Sequence, residues 1–146
     1  MNGGQANNNA AESGAAYAFD LDLDAWTDLG FGLAGAAGVP TLVGSGSLQS
    51  GSLVGLTLSG GEAQAFAYLV TGLSLFGAPF KGGVLVPHPD FVSPALITDV
   101  TGAIAAGGTW PAGVPSGFVT YFQWWIQDAA GPKGFAVSTA MSGTTP

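Results

Sequence analysis

The chain has no cysteine and no arginine, only two lysines (Lys81 and Lys133), and a single histidine, His88. Without cysteine there is neither a disulfide framework nor a thiolate metal site, and the redox compartment cannot be read from disulfides. One histidine leaves zinc with only carboxylates to complete its coordination. Nine acids against two lysines give a net charge of −7. That balance repels phosphate backbones, whose binding needs clustered cations. Nucleic acid is therefore excluded as a partner, and an anionic membrane surface is disfavoured for the same reason. Charged residues make up only 8% of the chain, far below the roughly 25% of an average soluble protein. Apolar runs are short as well. None reaches the ~18 residues that span a bilayer, and the nearest, Ala95 to Pro111, is broken by Asp99 and several glycines. No membrane insertion is expected. The opening "MNGGQANNNAAESG" lacks the basic and apolar regions of a signal peptide, which points to a chain that stays inside or is a piece of a longer protein. The scarcity of Lys and Arg leaves trypsin-like proteases few sites, which fits an exposed life.

What the chain has in quantity is punctuation. Twenty-five glycines and nine prolines cut it into short pieces, the pattern of an all-β protein. Its 146 residues are enough for one domain with a substantial core. Strands are expected at Ala15–Asp24, Gly32–Ala34, Pro40–Gly44, Leu53–Ser59, Gln64–Leu73, Gly83–Pro87, Ala95–Val100, Phe118–Gln127 and Phe135–Ala140. Glycine-bearing turns such as "SGGEA" and "KGG" separate them. A short helix is allowed at Phe91–Leu96, limited by Pro94. The expected fold is a two-sheet antiparallel β-sandwich of eight to ten short strands, Greek-key or jelly-roll-like, with a closed barrel as the alternative. The expected division is an Asn/Gly-rich segment with a terminal strand over 1–24, followed by a sandwich domain over 25–146.

The densest signal is "FVTYFQWWIQD", Phe118 to Asp128. On a strand, alternate side chains share a face. Phe118, Thr120, Phe122, Trp124 and Ile126 form a core face. Val119, Tyr121, Gln123, Trp125 and Gln127 form an amphipathic one, fit for a binding platform, an intersheet surface or a contact with another subunit. If exposed, Tyr121 and Trp125 would stand ~13 Å apart, with amides beside them to bond sugar hydroxyls. Trp110, on the stiff loop "GTWPAGVP", is either a further anchor or a plug over one end of the sandwich.

The sequence offers little for catalysis. His88 sits between prolines in "VPHPD", and no G-x-S-x-G accompanies it. There is neither a G-x-x-x-x-G-K-[ST] nor a G-x-G-x-x-G opening a helix. In "DLDLD", Asp20, Asp22 and Asp24 share a strand face at ~6.6 Å intervals. That face would blunt an exposed edge by its charge, and with loop oxygens or Asp28 it could hold calcium. Asp90, Asp99 and Asp128 lie near strand ends, but nothing pairs them across a cleft as glycosidase chemistry requires. The chain is expected to be no enzyme and to need no cofactor, calcium aside.

The segments "GLAGAAGVPTLVGSGSLQSGS", "FKGGVLVPHPD", "GTWPAGVPSG" and "FQWWIQDAAGPKGFAVSTA" resemble a module at the C-terminus of many planctomycete and myxobacterial exported proteins. The opening "NGGQANNNAAESGAAYAFDL" resembles the tail of an FG-GAP repeat, the blade unit of integrin-like β-propellers, although the D-x-D-x-D-G-x-x-D calcium loop of those repeats is absent. The resemblance implies an extracellular or cell-surface setting and no established reaction. Combined with the sparse charge, it leads us to expect a structural or assembly role, with the chain binding itself or a parent or cell-surface protein. The strand carrying Ala15, Tyr17, Phe19, Leu21 and Leu23 would complete a neighbour's sheet. The alternative is a carbohydrate-binding module in which Tyr121, Gln123, Trp125, Gln127 and Trp110 hold a polysaccharide.

Overall fold

A computed structural model describes residues 25–146. Among the described residues the fold is all-β, with antiparallel sheets and no closed barrel. Twelve strands run in order there: β1 (Trp26–Gly30), β2 (Thr41–Ser45), β3 (Leu53–Ser59), β4 (Phe66–Gly72), β5 (Leu75–Phe80), β6 (Gly83–Pro87), β7 (Phe91–Val92), β8 (Leu96–Ile97), β9 (Ile104–Thr109), β10 (Val119–Gln127), β11 (Phe135–Val137) and β12 (Ala140–Thr144).

β10 is the organising strand. It pairs with β4 on one side and with β12 and β11 on the other, and the central sheet runs β1-β12-β10-β4-β7, with β8 also on β4. Both of its faces carry large apolar side chains, so it is stable only when both are covered, and two separate layers cover them. The three-stranded sheet β2-β3-β9 lies over one face. There Leu42 and Leu58 join Phe122, Trp124, Ile126, Ala67 and Met141 in the main core. The β5–β6 hairpin lies over the other, where Leu85 packs with Trp125, Val70 and Val137. The sandwich thus carries a narrow third layer.

Close approach ties the wide layer down. Trp26 stacks on the Cβ-less surface of Gly44, so a methyl group there would fall inside the indole. The Trp26 Nε1–H donates to the Gly46 carbonyl at 2.9 Å, linking β1 to the turn after β2.

Several expected elements differ in the structure. Phe91–Leu96 is no helix. Pro94 splits it into the two-residue strands β7 and β8, each paired with β4. Gly32–Ala34 contributes only an isolated bridge at Leu33. β1, β5, β9 and β12 were not expected from the sequence. β5 ("LFGAPF") and β9 ("IAAGGT") carry glycines that weaken the alternating pattern, and Pro79 further disguises β5. The expected Ala15–Asp24 strand and the 1–24 segment lie outside the described residues.

Candidate functional site

The amphipathic face of β10 is intersheet surface. Trp125 is 3% exposed and makes edge-on contacts with Phe80 at 5.2 Å and Phe135 at 6.3 Å between ring centroids. Its buried Nε1 has no hydrogen-bond partner, so the indole works by packing. Gln123 is fully buried, and its amide ties the hairpin to the sheet. Oε1 accepts from the Val86 N–H at 3.1 Å, while Nε2 donates to the Val84 carbonyl at 3.1 Å and the Ser138 carbonyl at 3.4 Å. A buried amide bonded to the edge of a covering strand fixes register as well as adding stability. The expected stacking platform is therefore corrected. Tyr121 is half-buried, and Gln123 and Trp125 are sealed beneath β5–β6. Sequence alternation identified the face but carried no sign of the hairpin that closes over it. Trp110 also belongs to the main core, with its Nε1–H donating to Thr145 Oγ1 at 3.2 Å. It is not an exposed anchor.

Gln127 alone among these residues is exposed. It lies on an open groove of about 680 Å³ with Glu62, Gln64, Phe66, Asp128 and Phe135. Asp128 is buried, and both of its oxygens are engaged. Oδ2 accepts from the Ala36 N–H at 2.8 Å and Oδ1 from the Ala130 N–H at 2.9 Å. Its carboxylate pins two loops together at the groove floor, which leaves Glu62, Gln64 and Gln127 as the polar groups facing solvent.

A second cavity, about 320 Å³, opens beside the hairpin among Tyr68, Phe80, Trp125 and Phe135. Around its mouth the surface is apolar. Phe76 and Phe80 on β5, Phe91 and Val92 on β7, and Leu96 and Ile97 on β8 are exposed, from 39% at Leu96 to 61% at Phe91 and Ile97. Register divides them between the two faces of the sheet: Val92 and Ile97, opposite Val70 and Phe66, lie on the hairpin side with Phe80, whereas Phe91 and Leu96, opposite Thr71 and Ala67, lie on the other.

His88 and Asp90 sit at the margin of this surface. His88 Nδ1 lies 3.0 Å from Asp90 Oδ1, and Asp90 Oδ2 accepts from the Leu73 N–H at 2.7 Å. The Leu73 amide, helped by His88, holds the Asp90 carboxyl below its ordinary value. The His88 ring packs edge-on against Phe76. This arrangement braces the loop from β6 to β7. In the Asp99–Ala103 turn, the Thr101 hydroxyl, then the Ala103 and Thr101 amides, lower the Asp99 carboxyl in the same way. Among the described residues, no three carboxylate or histidine side chains gather as metal ligands. The calcium candidates Asp20, Asp22 and Asp24, and the assembly residues Ala15, Tyr17, Phe19, Leu21 and Leu23, lie outside the described residues.

The chain matches no protein-family model, no curated protein and no solved structure.

Proposed function

We propose that this chain is a non-catalytic extracellular module with a structural role, associating with copies of itself or with a cell-surface partner through the apolar region around β5, β7 and β8. The observation that carries this reading is the exposed apolar surface along the outer strands of the central sheet, with Phe80, Val92 and Ile97 on the hairpin side and Phe91 and Leu96 on the other face. Exposed apolar surface of this kind marks interaction sites. An outer strand offers unpaired backbone groups as well, and β7 and β8 carry no charged side chain to blunt it. The contact surface therefore moves from the buried Tyr121/Trp125 face to the rim of the hairpin above it. The alternating segment Ala15–Asp24 remains the proposed donor strand.

The test is the mass in solution by light scattering across a concentration series, with electron micrographs of the same samples. Assembly of the full chain, lost on deleting Met1–Asp24 or in the Phe91→Ser/Val92→Ser variant, supports the reading. A monomer at every concentration, with no capture by cell-surface material, refutes it.

A second reading, polysaccharide binding, is favoured by the open groove at Gln127. Phe66 offers an exposed ring there, with the amides of Gln64 and Gln127 beside it. Retention on insoluble polysaccharide that Phe66→Ala abolishes would establish it, and retention unchanged by that variant would place the sugar elsewhere.

A further inference from the structure

Lys81 is one of two cations in a chain of net charge −7, and its backbone is unusual. It forms the β5–β6 turn with Gly82, the two residues having φ of 50° and 84° between the paired Phe80 and Gly83. Two-residue turns with both φ values positive favour Asn, Asp or Gly at the first position, because a Cβ crowds the following carbonyl there and only a short polar side chain offsets this with a local hydrogen bond. A lysine in that place is held against local preference. Outliers of this kind cluster at ligand clamps. Its ammonium lies 5.9 Å from the Phe80 ring centroid and 5.6 Å from that of Phe135. No carboxylate among the described residues lies within ion-pair distance of it.

Both of those rings line the 320 Å³ cavity, and Lys81 lines it with them. The cavity walls are apolar side-chain surface, and they run inward to the buried Trp125, Val70 and Leu85. The volume falls at the lower end of the roughly 300–1,000 Å³ of small-molecule sites. Three ligand chemistries can be compared. A sugar would lose hydration from its hydroxyls with nothing in the walls to replace it. A cation would find four aromatic residues, but the Lys81 charge repels it. An apolar body ending in an anion suits both features.

We propose that the cavity binds a small amphipathic carboxylate, its aliphatic or aromatic body against Trp125, Tyr68 and Phe135 and its carboxylate at the Lys81 ammonium. The site needs only one copy of the chain, although Phe80 and Val92 belong to the proposed contact region as well.

The test compares octanoate, octanol and octylammonium binding to the full chain by calorimetry and ligand-observed NMR at neutral pH and low salt. Octanoate binds tightest and octylammonium weakest. The octanoate preference over octanol is about tenfold, the usual order for one charge-assisted contact. Lys81→Asn suits the turn, so its melting temperature holds or rises, while its octanoate affinity falls to the octanol level. Val92→Trp, a change at an exposed wall position, narrows the mouth and weakens both ligands. Equal binding of octanoate and octanol, or a preference that survives Lys81→Asn, overturns the proposal. Failure of both ligands to bind at a concentration where the chain is monomeric overturns it too, whatever the outcome for self-association.

Discussion

The two layers that cover β10 do the same task unequally. On one face, the three strands β2-β3-β9 span the sheet, and Trp124 and Ile126 are completely buried. On the other, two strands cover a face of similar apolar content. They shield Trp125 and Gln123 but leave a cavity beside them and a rim of exposed Phe and Val. Wherever a covering layer is narrower than the face beneath it, the remaining surface stays open to a ligand or a neighbour. In this chain the filled core lies under the wide layer, and the open apolar surface lies along the margin of the narrow one.

Substitutions can break that contrast or sharpen it. Trp124→Ala, under the wide layer, is expected to cost the most, about 3–5 kcal/mol, because it empties a filled core. Urea unfolding measures it, and a loss below about 1 kcal/mol would mean that the wide layer is not the stable one. Trp125→Ala should cost about 3 kcal/mol, the lower end of the same range, since its ring already borders open space. Gln123→Ala comes next, at about 1–3 kcal/mol, because it leaves the Val86 N–H and Val84 carbonyl without their partner. Hydrogen exchange should then rise in the β5–β6 hairpin before it rises in β2-β3-β9. Uniform exchange across both layers would show that the hairpin does not open separately. At the rim, Phe91→Ser/Val92→Ser should change stability by no more than about 1 kcal/mol, as exposed substitutions do, while removing self-association.

The smallest effect is that of acid. Asp90 and Asp99 titrate below the ordinary aspartate value in the folded chain. Their stabilisation is present above that value, about 3.9, and is lost as pH falls through the lower folded values. Thermal melts should therefore weaken below about pH 4, with Asp90→Asn and Asp99→Asn each flattening the decline. Parallel declines in all three proteins would assign the acid sensitivity to other carboxylates.

Much of this architecture was legible in sequence. The alternation of "FVTYFQWWIQ" marked β10 and separated Phe122, Trp124 and Ile126 from Gln123 and Trp125. The glycine and proline punctuation indicated an all-β sandwich. What alternation could not show was what lies opposite each face, because that is fixed by pairing between distant segments. The hairpin over Trp125 comes from "LFGAPFKGGVLVP", half of which has no strand pattern. Trp110 stood open between plug and anchor, since a tryptophan on a proline-rich loop reads alike whether it plugs a core or projects from it; the structure makes it a plug. The exposed apolar edge was only partly legible. Leu96 and Ile97 fall within the expected Ala95–Val100 strand, but Phe91 and Val92 form a strand two residues long, too short to register as periodicity.

The place of β10 in the chain has a consequence for synthesis. The central sheet needs β10 as the rung between β4 and β12, yet β10 is made after β1 to β9. Until Val119–Gln127 emerges, β4 lacks its main partner and the β5–β6 hairpin has no Trp125 to close over. The pairings among β2, β3 and β9, of β4 with β7 and β8, and of β5 with β6 are available earlier. Those pieces wait as separate sheets until β10 joins them, and the scarcity of long apolar runs limits collapse between them in the meantime.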